Sequence, residues 1–163
     1  MKAIAIGMLG ILLASTTATA QTAAERDRIL QDFQRHVAAY SAEHHCLDLF
    51  PEALNASTPA PRIFTPPVAV VFRQLIAAAI HSGDSATAMR GVNTPRHHVS
   101  VLQPFPATEL NAFPQVLTDA LPPLPARLEY RLIDNDLVLR DAEADVIVAV
   151  LRDALATATT LRD

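Results

Sequence analysis

The chain contains no tryptophan, a single cysteine, four glycines and only one lysine. A lone cysteine cannot form a disulfide within the chain, so the fold has to be held by its apolar core. No GxSxG turn is present, which removes the usual signature of a serine nucleophile. The lack of tryptophan, with only two tyrosines, also argues against a sugar site lined by aromatic rings.

Residues 1–20 have the three parts of a secretory signal peptide. Lys2 is followed by an uncharged apolar stretch, Ala3–Ala14, and then by small residues that end in Ala18-Thr19-Ala20. This A-x-A ending predicts cleavage after Ala20. The apolar stretch is shorter than the roughly 20 residues that span a bilayer, so we expect contact with the membrane only during export. No cysteine sits at the predicted cleavage site, where Gln21 comes next, so no lipid anchor is expected.

The exported protein would then be residues 21–163, a single domain large enough to bury a core. Removal of Lys2 leaves arginine as its only strongly basic residue and makes its net charge one unit more negative than the −4 of the whole chain. An acidic domain without a basic patch beside aromatic residues is not expected to bind nucleic acid. We expect the protein to be periplasmic, and full secretion is left open.

Two segments in the first half have the periodicity of helices. In Ala23–Phe50, apolar residues recur at intervals of three and four and therefore share one face. The second helix is predicted to start at Thr65-Pro66, a capping residue followed by proline at the preferred first position, and to run apolar from Val68 to His81. Together they form a predicted helical part at about residues 22–82.

The C-terminal third predicts an antiparallel meander. Its strands are Leu128–Ile133, Leu137–Arg140 and Val146–Leu151. Asp and Asn residues, which tolerate left-handed backbone, predict turns at Asp134–Asp136 and Asp141–Asp145. His98–Gln103 is a candidate fourth strand, so the sheet part covers about residues 97–155. We predict an α+β domain in which two N-terminal helices pack on a small C-terminal antiparallel sheet.

Several segments carry a resemblance to a known family. They are AAYSAEHHCLDLFP at 38–51, IFTPPVAVVFRQLI at 63–76, HVSVLQPFP at 98–106, and LPPLPARLEYRLIDNDLVLRDAEADVIVAVLRDAL at 121–155. In order and spacing they resemble a family of uncharacterised exported bacterial proteins. Members of that family often carry an additional helical stretch where this chain has only residues 52–62. The resemblance implies a signal peptide and an α+β domain, and it implies no activity, cofactor or catalytic residue.

Histidines are the only candidates for a metal or acid–base site. His36, Tyr40 and His44 recur every four residues and are expected on one face of the first helix. His44 and Asp48 have the i, i+4 spacing that can place two ligands on one ion. No HExxH or other zinc motif is present, so histidines at the edge of the core are the favoured interpretation.

A second pair, His97 and His98, begins the candidate fourth strand. Adjacent strand residues point to opposite faces, so both cannot easily bind one ion. The weak metal candidates are therefore His44, Asp48, His97 and His98. Cys46 lies next to histidines in the sequence, but neighbours on a helix do not face each other, and a packing role is favoured.

Five acidic residues occupy the two predicted hairpin turns. They are Asp134, Asp136, Asp141, Glu143 and Asp145. Oxygen-rich loops can bind calcium, but the EF-hand pattern is absent and these turns favour Asp for backbone reasons alone, so solvated turns are favoured. Glu129 and Arg131 on one strand face are expected at the surface or in a modest cross-strand pair.

These patterns favour a non-enzymatic interaction or structural module over an enzyme. Its expected partner is an envelope protein or a second copy of the chain, and no cofactor is expected. The alternative is a periplasmic metal-dependent hydrolase that uses clustered histidines. A cleft with convergent His, Asp and Glu side chains would favour the hydrolase.

Overall fold

The computed structural model describes residues 17–47, 62–82 and 99–155. In the first of these ranges, side chains are described only for residues 23–43. The elements in these ranges are α1 (Thr17–Leu47), α2 (Pro66–Ser82), a 3₁₀ turn (Ala107–Glu109), α3 (Gln115–Ala120), β1 (Leu128–Ile133), β2 (Asp136–Asp141) and β3 (Val146–Leu151). The predicted α+β class, with helices N-terminal to a three-stranded antiparallel sheet, is confirmed. None of the helices in the described ranges is long and apolar enough to cross a membrane.

The first two helices follow the predicted periodicity. On α1 the residues Phe33, Val37 and Tyr40 are buried, at the intervals of four and three that keep them on one face. Helix α2 begins at Pro66, as predicted from the preference for proline at the first helical position. The backbone N–H of Ala69 donates to the carbonyl of Thr65 at 2.8 Å, which closes the first turn of α2.

The strands form the predicted meander in the order β1-β2-β3. Asp134 and Asp145 have φ of 53° and 54°, so both predicted turns do use left-handed backbone at Asp. The pairing of β2 with β3 shifts register between Leu139 and Arg140. This irregularity is a bulge, which increases the local twist of the sheet.

The sheet has apolar residues on both faces. Its inner face packs on the helices through a core that includes Leu128, Tyr130, Leu137, Leu139, Val148 and Leu151. A smaller outer cluster contains Val99, Phe105, Ile133, Val138 and Ile147. Because both faces are covered, β3 is buried on both sides, as its continuous apolar sequence predicts.

A ring cluster joins the helices to the inner face of the sheet. Phe72 of α2 lies 4.7 Å from Phe33 of α1 and 5.3 Å from Phe64, between ring centroids. It also lies 6.3 Å from Tyr130 of β1. These distances are typical of favourable tilted aromatic pairs, so Phe72 links both long helices to the first strand.

The candidate fourth strand is not a strand in its described part, Val99–Gln103. Leu102 has φ of 67°, and only Pro104 forms an isolated bridge, to Val146. A left-handed residue followed closely by two prolines interrupts the ladder, because proline has no N–H to donate. The segment still binds the edge of β3, since Leu102 N–H donates to Ile147 O at 2.7 Å and Ile147 N–H to Gln103 O at 2.9 Å.

Candidate functional site

A buried carboxylate lies where α1 meets the sheet. Asp141, the last residue of β2, has no exposed surface. One oxygen, Oδ2, accepts from Arg127 Nε at 2.8 Å and from the Tyr40 hydroxyl of α1 at 3.1 Å. The other, Oδ1, accepts from the backbone N–H groups of Glu143 and Ala144, both at 3.0 Å. Four donors therefore surround this one carboxylate.

These donors keep Asp141 ionised. Burial acts to raise its pKa, but the N–H of Ala144, the Arg127 guanidinium and the Tyr40 hydroxyl together hold the pKa below its ordinary value. Arg127 is itself 7 % exposed, and its Nη1 lies 3.4 Å from an oxygen of Glu143. A buried ion pair with further hydrogen bonds is the arrangement in which a charge is tolerated inside a protein.

The interpretation of all five turn carboxylates as solvated is therefore wrong for Asp141. Its side chain follows the inward alternation of Leu137 and Leu139 rather than the turn. The same alternation was visible in the sequence, and it would have placed Asp141 on the inner face. Both oxygens of Asp141 accept from protein donors, so its carboxylate connects α1, Arg127 and the turn and is not presented to solvent as a calcium ligand.

A second charged group covers the outer face of the sheet. Glu129 accepts from Arg131 through two bonds, at 3.0 Å and 2.6 Å, and from Arg140 of β2 at 2.5 Å. Arg140 also donates twice to Asp145 Oδ1 and lies over the Phe105 ring at 5.2 Å. Glu129 and Arg131 therefore pair with each other within β1, and the cross-strand pair that was one of the two expectations forms between Glu129 and Arg140 of β2.

Glu129 is also kept ionised. Burial acts to raise its pKa, but the hydrogen bonds and charges of Arg131 and Arg140 outweigh it, and the pKa lies below its usual range. A general acid or base at neutral pH requires a carboxyl pKa that is raised toward 7. Both Glu129 and Asp141 are shifted in the opposite direction.

A pocket of about 290 Å³ lies beside β1. It is lined by Phe113, Thr118, Pro122, Pro123, Leu124, Leu128, Glu129, Tyr130 and Arg131. The Phe113 and Tyr130 rings are nearly parallel, with centroids 5.9 Å apart. The Tyr130 hydroxyl donates to Pro122 O at 3.0 Å, and burial raises its pKa, so the phenol stays protonated at neutral pH. The pocket is mostly apolar and can accept an apolar group.

The side chains of the predicted metal candidates lie outside the part of the chain that the structure describes. The backbones of His44 and Cys46 lie in α1, but their side chains are not described. Asp48, His97 and His98 lie outside the described residues altogether. Within the described ranges no group of three His, Cys, Asp or Glu side chains could hold a metal ion.

His36 is the one histidine of the first helix whose side chain is described. It is exposed, with Nδ1 4.0 Å from Asp32 Oδ2, while Tyr40 is buried. His36 and Tyr40 were expected on one face of the helix, but only Tyr40 belongs to the buried face, which is formed by Phe33, Val37 and Tyr40. This spacing places residue 36 at the solvent side.

No protein-family model, curated protein or solved structure matches this chain.

Substitution of the buried carboxylate should be strongly destabilising. Asp141→Asn removes the charge that balances Arg127, and breaking a buried pair costs about 3–5 kcal/mol. Glu143→Gln, whose side chain is largely exposed, is the matched control and should change the free energy of unfolding by less than about 0.5 kcal/mol. Urea unfolding followed by circular dichroism measures both. Equal, small effects would show that the Asp141 contacts do not stabilise the fold.

Stability should fall in acid in a way that depends on Asp141. Because its pKa is lower in the folded than in the unfolded protein, its contribution is complete above the unfolded value of about 4 and is lost as the pH falls through the folded value. The difference in unfolding free energy between the wild type and Asp141→Asn should therefore shrink from pH 7 toward pH 2.5. A difference that stays constant over this range would contradict the assignment.

Proposed function

We propose that this protein is an exported interaction module without enzymatic activity, which binds a partner protein or a second copy of itself in the bacterial envelope. Support for export comes from the signal-like residues 1–20 and the resemblance of the later segments to exported proteins. Support for a binding role comes from the apolar pocket between β1 and Pro122–Leu124.

The main support for the proposal is that the charged side chains around this pocket are already paired within the protein. Glu129 and Arg131, its two charged lining residues, are bonded to each other and to neighbouring groups. Among the described residues, every buried side-chain nitrogen or oxygen has a hydrogen-bond partner. Polar side chains that are hydrogen-bonded to each other restrict the motion of the surface around them. An apolar pocket that is already ordered loses less conformational entropy when it binds a partner.

An apolar side chain of a protein is the occupant that this lining fits best. The rings of Phe113 and Tyr130 and the side chain of Leu124 supply apolar contact, while Thr118 and the Glu129–Arg131 pair form a polar boundary. Interfaces commonly combine an apolar centre of this kind with a polar rim. The net negative charge of the chain gives no support to a nucleic-acid partner.

Site-specific photocrosslinking in the exporting cell tests the proposal. A photoreactive residue at Thr118, on the rim of the pocket, should give a discrete crosslinked product. The same residue at Glu25, exposed on α1 and paired only with Arg28 at 3.0 Å, is the control and should give none. Crosslinks of equal intensity at both positions, or none at either, would contradict binding at the pocket.

Metal analysis of the purified protein tests the competing hydrolase hypothesis. Its candidates His44, Asp48, His97 and His98 lie outside the described residues, so the measurement is made on the intact protein. Stoichiometric zinc that is lost in a variant with His44 and His97 both changed to Ala, together with activity on a hydrolase substrate panel, would overturn the proposal. Metal at background level supports it.

A further inference from the structure

The two edges of the sheet differ in how they are covered. At the outer edge of β3, the segment that contains Leu102 and Gln103 makes backbone hydrogen bonds to Ile147, and Phe105 N–H donates to Asp145 O at 2.9 Å. Within the described ranges, no segment makes a comparable set of backbone hydrogen bonds to the outer edge of β1. An uncovered strand edge is a template for pairing with another chain.

The direction of the free backbone groups on β1 follows from two hydrogen bonds at its start. Arg127 O accepts from Ala142 N–H at 2.8 Å, so odd-numbered residues bond toward β2. Leu128 N–H instead donates to Pro125 O at 2.9 Å, away from β2. Because the pattern alternates along an antiparallel pair, Tyr130 and Leu132 also point their N–H and C=O groups away from β2. No described residue bonds to either backbone N–H.

The apolar pocket lies along this same edge. It is lined by four consecutive residues of β1, Leu128 to Arg131, whose side chains alternate between the two faces of the sheet. A space that touches consecutive strand residues runs beside the strand and not over one face. Phe113 and Pro122–Leu124 border the space.

We propose that β1 pairs antiparallel with β1 of a second copy, centred on Tyr130, so that two three-stranded sheets form one sheet of six strands. In this register Glu129 lies opposite Arg131 of the second copy and Arg131 lies opposite its Glu129. Leu128 lies opposite Leu132 on the inner face. Opposite charges and apolar pairs directly across an antiparallel ladder are stabilising, and a symmetric dimer makes each favourable pair twice.

Charge also selects this register over its neighbours. A shift by two residues keeps the outward backbone groups in phase, but it places Glu129 opposite Glu129 or Arg131 opposite Arg131. Like charges directly opposite each other destabilise a ladder. The edge is thus self-complementary in one alignment, which identifies a second copy as its occupant. This inference rests on the proposed function, since it names the partner of the interaction module.

Amide hydrogen exchange of the purified exported protein, at low and high protein concentration, tests the pairing directly. The N–H groups of Tyr130 and Leu132 should become at least tenfold more protected as the protein dimerises. Arg131, whose N–H bonds to β2 in either state, is the internal reference and should change little. A protein that stays monomeric at every concentration, or a dimer in which Tyr130 and Leu132 remain unprotected, would overturn the proposal.

A matched pair of variants separates the contribution of the outward backbone N–H of Leu132 from that of its side chain. Leu132→Pro removes an outward N–H without removing a bond to β2, and Leu132→Ala makes a similar loss of apolar contact but keeps the N–H. Sedimentation should show dimerisation at least tenfold weaker in Leu132→Pro than in Leu132→Ala. Equal dimerisation of the two folded variants would contradict pairing through β1. A Thr118 crosslink to a different protein, with no dimer, would overturn this inference and leave the proposed function standing.

Discussion

Helix α1, the entry to β1 and the second turn all meet at one buried carboxylate, that of Asp141. Tyr40 of α1 lies 101 positions from Asp141 in the sequence, Arg127 lies 14 positions away, and the two backbone N–H donors belong to Glu143 and Ala144 in the adjacent turn. A buried ion pair is not in itself strong evidence for stability, because both charges lose their hydration. What it does provide is orientation, since moving α1 out of place would remove the Tyr40 hydroxyl, one of the four donors to this buried charge.

Most of the fold was predictable from local patterns. The strands β1 and β3 begin and end at the predicted residues, because side-chain alternation and the Asp-rich turns act over a few positions and need no knowledge of the rest of the chain. Pro66 likewise fixed the start of α2. The segment at Val99–Gln103 was harder, because its alternation resembles a strand while the left-handed Leu102 and the prolines prevent a regular ladder.

The candidate site was not predictable in the same way. Tyr40 and Asp141 are 101 positions apart, and no local pattern indicates that they meet. Asp141 also had a plausible local role in a turn, and the backbone of Glu143 and Ala144 does bond to it as in a turn. Only the alternation of side chains along β2, in which Asp141 points to the same face as Leu137 and Leu139, indicates that this carboxylate is buried and not solvated. The pocket beside β1 depends on Phe113 and Pro122–Leu124 meeting one strand, which again requires the tertiary fold.

The same arrangement explains why binding is favoured over catalysis as the proposed role. The carboxylates with shifted pKa values are stabilised in their ionised form and surrounded by donors, so they are suited to holding elements in place. The apolar pocket lies beside one of them, Glu129, along β1.

A double-mutant cycle between Tyr40→Phe and Asp141→Asn tests the central claim most directly, because it isolates the contact that ties α1 to the sheet. Contacting residues in one hydrogen-bond network typically show coupling energies of about 0.5–3 kcal/mol. We predict a coupling in this range, with the double variant less destabilised than the sum of the two single variants. Additivity within about 0.3 kcal/mol would contradict the claim that this contact connects the helix to the sheet.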